Sequence, residues 1–145
     1  MFTYKYPRAA LTTDALVYAK KENDVFVLLI QRGHEPYKNK WALPGGFIEM
    51  NETLEAACKR ELEEETGLIV GKMNQFKAYD AIDRDPRHRT ISVVYSVELN
   101  KIKKVSGGDD AAKAEWFAIN KLPDLAFDHK QILHEFFTET LKLKL

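Results

Sequence analysis

The sequence predicts an α/β fold, a sandwich with a mixed β-sheet. Three observations predict it: runs rich in β-branched and aromatic residues, two segments with helical spacing of apolar positions, and proline or glycine breaks between them. "DALVYAK" and "DVFVLLIQR" are the first strands, a hairpin or two neighbours. "GHEPYKNKW" is a polar loop. "ALPGGFIE" is strand-like, but Pro44, Gly45 and Gly46 force its backbone to turn. Residues 53–66 make the strongest helix. Asn51 or Thr53 caps its start, Gly67 takes the left-handed position that ends it, and Leu68 folds back on Leu62. "NQFKAYDAI" reads as a strand and "RDPRHR" as a charged loop, since Pro86 bars a central strand position. "TISVVYSVEL" is the clearest strand, "VSGGDDAAKA" a loop and "EWFAI" a short strand. "FDHKQILHEFFTETLKLKL" closes the chain as an amphipathic helix, with Ile132, Leu133, Phe136, Phe137 and Leu141 at helical spacing and Asp128 as N-cap.

The 145 residues are expected to form one domain, 1–145, large enough to bury a core. Lys and Arg number 22 and so do Asp and Glu, so no global charge draws the chain to nucleic acid or to an anionic membrane. Cys58 is the one cysteine, which excludes an internal disulfide and argues against a cysteine-based zinc site. It falls on the core face of its helix and is expected to be inert. The N-terminus lacks a signal peptide's apolar stretch, and the longest apolar run, Val25 to Ile30, is far too short to span a bilayer. These features predict a soluble, cytoplasmic protein.

The span from Gly45 to Leu68 carries seven glutamates and two cations. Like charges one turn apart cost stability. On a helical wheel, Leu54, Ala57, Cys58 and Leu62 make the core face, and Glu61 and Glu65 fall within about 20° of Leu54. Glu64 lies at the edge of that face, while Lys59 and Glu63 point to water. Inward carboxylates repel one another and lose hydration, so they require protonation or a cation. Arg60 alone cannot balance three of them. Mg²⁺-like ions favour carboxylate oxygens and often bind phosphates as well, which points to a metal site beside the turn at Gly45 and Gly46. Those two glycines allow a ligand to approach the backbone closely.

Together these residues match the Nudix box, with Gly46, Glu52, Arg60, Glu61, Leu62, Glu64, Glu65, Gly67 and Leu68 at its fixed positions. The chain therefore resembles a Nudix hydrolase, which implies an α/β/α sandwich that cleaves a diphosphate joined to a second moiety. By match of position, Glu61, Glu64 and Glu65 would bind Mg²⁺ or Mn²⁺ with the Gly46 backbone beside the metal. Glu52 and Arg60 would brace the site. The flanking segments "LLIQRGHEPYKNKWALPGGFIE", "DRDPRHRTISVVYSVEL", "GGDDAAKAEWF" and "FDHKQIL" resemble the bacterial ADP-ribose pyrophosphatase group. That resemblance implies hydrolysis of ADP-ribose, or a related nucleoside diphosphate sugar, to AMP and ribose 5-phosphate. Homodimers are common among such relatives, and a homodimer is expected here. Asn51 stands where glycine is common, and His88 where the family usually has "DPRG".

The general base is expected from the box, Glu61 or Glu64, or from a later loop, Asp109, Asp110 or Glu115. Asp109 and Asp110 are also candidates for binding substrate. Arg32, Arg84, Arg87 and Arg89 are candidates for phosphate or ribose, because guanidinium forks match phosphate oxygens. Arg32 leads, since it ends a strand just before the glycine turn. Tyr4, Tyr6, Phe47 and Tyr79 are candidates for stacking on adenine, and His129 for a contact near the site. Trp41 and Trp116 read as packing residues. Two other functions compete with ADP-ribose hydrolysis: pyrophosphohydrolysis of modified nucleoside triphosphates, and non-catalytic sensing of ADP-ribose. The chain stops at Leu145 after one helix, so no DNA-binding module is expected.

Overall fold

Residues 1–108 and 111–145 are described by the structure, a computed structural model. β1 (Ala10–Lys21) and β2 (Asp24–Arg32) form the hairpin, paired antiparallel from Tyr18↔Val27 to Lys21↔Asp24. Two residues remain for its turn, and Glu22 takes φ 58° there, the left-handed conformation that tight hairpins demand. The expected break at Pro44 divides β3 (Trp41–Ala42) from β4 (Gly45–Phe47) and sends them to different partners, β3 to β2 and β4 to β1.

Helix α1 (Leu54–Thr66) follows. Of the two capping candidates, Thr53 is the one used: its side-chain oxygen accepts the Ala56 N–H at 3.1 Å. Gly67 ends the helix at φ 77°, donating its N–H to Glu63. The remaining elements are β5 (Asn74–Tyr79), β6 (Thr90–Leu99), β7 (Ala111–Ala118) and α2 (His129–Glu135). β7 starts at Ala111 instead of Glu115, because pairing with β2 as far as Arg32 draws the preceding residues into the sheet. α2 continues as a π-helical turn, Phe136–Thr140, and Lys142 at φ 60° then turns the chain. Asp128 precedes α2 but does not cap it, since its carboxylate is taken by Arg84.

The sheet runs β3-β2-β1-β6-β5, with β4 added to β1 and β7 to β2. β1 and β6 are parallel from Ala10↔Thr90 to Ala19↔Leu99, while the other pairs are antiparallel, so the sheet is mixed as expected. Successive side chains of a strand face opposite sides, and both faces are covered. Ala15, Val17, Leu28 and Ile30 pack with Cys58 and Leu62 of α1. Leu16, Tyr18, Val27 and Leu29 pack with Ile132, Leu133, Phe136 and Phe137. A helix on each face of the sheet gives the α/β sandwich. Among the described residues, no helix is long and apolar enough to cross a membrane.

Candidate active site

Arg60 organises the outer surface of α1. Its Nε and Nη2 donate to the two oxygens of Glu52, at 3.0 and 2.6 Å. Its Nη1 donates to Glu61 at 2.8 Å and to Glu64 at 3.3 Å, and Nη2 also reaches the Phe47 carbonyl at 3.3 Å. A planar fork satisfying this many acceptors fixes their relative positions. The hydrogen bond from Arg60 holds the Glu52 carboxyl below its ordinary pKa.

The glycine turn meets the helix at two points. Glu65, buried despite its charge, accepts the Gly45 N–H at 2.7 Å. Gly46 lies directly against the Glu61 carboxylate: a Cβ there would stand 2.7 Å from Glu61 Cδ. Both glutamates line a cleft of about 270 Å³ that Arg32, Arg84 and Arg87 also line. Glu64 is not part of that lining and turns toward Arg60 at the helix edge.

A divalent cation needs a donor set that the cleft supplies in part. Among the described residues, no three acids or histidines converge tightly enough to enclose an ion by themselves. Glu61 and Glu65 nevertheless bring two carboxylates to one cleft that arginine side chains also line. Mg²⁺ is commonly held by one or two carboxylates, with waters and substrate phosphates completing its shell. The residues fit a hard divalent ion that shares its coordination with a phosphate.

The arginines differ in their partners. Arg84 is buried and gives Nε and Nη2 to Asp128, at 2.9 and 2.6 Å. Arg87 clasps Asp85 through Nε and Nη2, at 3.0 and 2.8 Å. Burial alone would raise the Asp85 pKa, but the Arg87 hydrogen bonds outweigh it and hold the carboxyl below its ordinary value. Arg32 donates Nε to the Pro36 carbonyl at 2.7 Å and pairs with no carboxylate among the described residues. Burial first, and then the Arg87 charge, press its pKa down. Arg89 lies outside the cleft lining and donates to the carbonyls of Asp80 and Ala81.

Other expected residues fall at various distances from the site. Phe47 lines the cleft and is partly exposed. Tyr4 and Tyr6 are exposed on the N-terminal segment, outside the cleft lining. Tyr79 is excluded from a stacking role, because it is buried against the α2 face and its hydroxyl donates to Glu135. Glu115 is exposed on β7 and lies outside the cleft lining. Asp109 and Asp110 lie outside the described residues. Trp41 and Trp116 pack, as expected, against the two cores. Burial pushes the Cys58 thiol up to about 12, so it stays protonated and unreactive.

His129 is buried, and its Nδ1 accepts the Leu43 N–H at 3.0 Å. An accepting Nδ1 leaves the proton on Nε2, which faces Asp14 Oδ1 at 3.8 Å. Burial lowers the His129 pKa below the ordinary imidazole value, against the pull of Asp14 and Asp128. Unfolding at mildly acid pH must then take up a proton, so stability is fully present above about pH 6.5 and falls as pH drops below it. The expected result is a melting temperature that falls more steeply from pH 7 to pH 5 in the parent than in His129→Gln. Equal slopes in thermal melts would contradict a buried neutral imidazole.

Sequence reasoning missed Asp14, Asp85 and Phe127, which all line the cleft. Asp14 accepts a hydrogen bond from the Ser92 hydroxyl within the sheet. Its one signal is an acid that begins the apolar run of "DALVYA".

The comparisons with known proteins agree with this fold. The chain matches the NUDIX domain over residues 9–136. It is 42% identical over 131 residues to the ADP-ribose pyrophosphatase of Methanocaldococcus jannaschii, covering 90% of this chain and 75% of that protein. It is 32% identical over 136 residues to the ADPR responsive transcriptional repressor NtrR of Acinetobacter baylyi, covering 91% of this chain and 54% of the repressor. The chain thus spans about half the length of that relative. The crystal structure of the NUDIX domain of Shewanella oneidensis NrtR, complexed with ADP ribose, superposes with a TM-score of 0.84 at 27% identity, covering 90% of this chain and 87% of that one. The chain belongs to the NUDIX domain family and is a Nudix hydrolase.

Proposed function

We propose that the chain hydrolyses the diphosphate of ADP-ribose, or of a related nucleoside diphosphate sugar. Water adds to one phosphorus and the P–O–P bridge breaks, which yields AMP and ribose 5-phosphate. One observation carries the reading: two glutamates of α1 and three arginines line a single cleft, which brings together the charges that a cation-bound diphosphate requires. The 42% identity to an ADP-ribose pyrophosphatase supports the choice of substrate.

Glu61 and Glu65, which line the cleft, would hold Mg²⁺ or Mn²⁺ with the Gly46 backbone beside it, and Glu64 would join them by turning from Arg60 toward the cleft. When bound, such an ion neutralises the diphosphate and acidifies a water. Arg60 keeps Glu52 ionised and aims Glu61 and Glu64. Arg32 draws in a phosphate, since its terminal nitrogens have no carboxylate partner among the described residues. Glu61 or Glu64 takes the proton from the attacking water.

A second reading, binding of ADP-ribose without turnover, is favoured by the likeness to the repressor and to the ADP-ribose complex. Incubation with ADP-ribose and Mg²⁺, followed by a phosphatase, separates the two. Phosphate release that stops when EDTA removes the metal is the expected result. Tight binding without release would favour the sensor. Release from modified nucleoside triphosphates alone would shift the substrate class.

A further inference from the structure

Phe127 stands between the two less buried arginines of the cleft. The guanidinium of Arg32 lies 5.0 Å from the centre of its ring and that of Arg87 lies 5.8 Å away. Arg87 is also 5.5 Å from the Phe47 ring. Tyr37 and His129 close in on Phe127 at 4.8 and 5.6 Å. Two like charges in one cleft repel. Aromatic faces carry negative electrostatic potential and attract cations within about 6 Å, so the ring offsets that repulsion without supplying a carboxylate. Asp85 already occupies Nε and Nη2 of Arg87, and among the described residues Arg32 hydrogen-bonds through Nε alone, to the Pro36 carbonyl. The remaining guanidinium edges are left for an anion.

The backbone points the same way. Phe127 takes φ 52°, a strained conformation for a bulky side chain. Its neighbours hold it there: the Ala126 N–H donates to the Trp41 carbonyl at 2.8 Å, and the His129 N–H donates to the Ala126 carbonyl at 3.1 Å. Such strain persists where the surroundings over-determine it, and it gathers at functional sites.

We propose that Phe127 is a positioning residue, which fixes Arg32 and Arg87 as one phosphate-binding pair and so sets affinity for the diphosphate. This rests on the reading of the cleft as a diphosphate site. Phe127→Leu removes the ring and keeps an apolar side chain. It is expected to raise the KM for ADP-ribose and weaken binding of inorganic pyrophosphate roughly tenfold, with kcat within about twofold of the parent. Phe127→Tyr restores the ring and is expected to restore both. A folded Phe127→Leu protein with parental KM and parental pyrophosphate affinity overturns the proposal, as does a loss confined to kcat. If Phe127→Leu does not fold, Phe127→Met, of similar volume and without a ring, is compared with Phe127→Tyr by the same criteria. Calorimetry with pyrophosphate keeps this inference separate from the choice of substrate. A parent that binds pyrophosphate through Phe127 and ignores ADP-ribose would refute that choice and leave the pairing intact.

Discussion

Glu61→Gln is expected to slow turnover of ADP-ribose at least about a hundredfold, the scale of losing a group that acts in the transition state. The amide matches the carboxylate in shape and still offers an oxygen to Arg60 Nη1, the 2.8 Å partner of Glu61. The fold should therefore survive, and thermal melts should stay close to the parent. A loss of similar size is expected for Glu64→Gln. Glu64 stands outside the cleft lining, with its carboxylate on Arg60 at 3.3 Å. Parental rates in Glu64→Gln would remove it from the metal set and leave the metal to Glu61 and Glu65. Parental rates in Glu61→Gln would falsify the assignment of the site.

The two adjacent glycines should fail in opposite ways. A Cβ on Gly45 would stand 2.1 Å from the Thr13 carbonyl oxygen and 3.0 Å from Asp14 Cα. Those atoms belong to the backbone of β1, where Thr13↔Gly46 and Asp14↔Gly45 are paired, and a central strand cannot step aside. Gly45→Ala is expected to cost more than about 3 kcal/mol of stability, beyond ordinary overpacking. The three atoms nearest a Cβ on Gly46 all belong to the end of the Glu61 side chain, the closest at 2.7 Å. That carboxylate can swing away. Gly46→Ala should melt within about 1 kcal/mol of the parent and lose at least about tenfold in rate, because the displaced group is the one proposed to hold the metal. Denaturant curves and initial rates on the two proteins check this directly. Equal stability losses would show that the carboxylate is not the side that yields.

Helix α1 was legible because its determinants are local. Thr53 and Gly67 delimit it, and the wheel places Cys58, Leu62 and Glu65 inward, where they are found buried. The wheel was less sharp for Glu64, which lies at the border and is claimed by Arg60. The β1–β2 hairpin and the clear strand β6 were equally readable from β-branched runs. The rest of the cleft lining was not. Asp14, Asp85 and Phe127 come from three segments remote in sequence, and only the sheet order brings them together. Local rules also lost to tertiary partners. Asp128 reads as a helix cap, yet a charge-assisted bidentate bond to Arg84 outweighs a neutral cap bond. Tyr79 reads as a stacking ring until strand alternation turns it toward α2.

Asp14 and Thr12 reach the cleft from the strand that also carries Ala15, Leu16 and Val17, all fully shielded from solvent. The floor of the cleft is therefore a continuation of a fully shielded stretch of β1. Its amide hydrogens belong to the slowest class to trade with solvent deuterium, since they open only with the whole fold. The strand beneath the cleft is therefore expected to have no melting step separate from that of the whole fold.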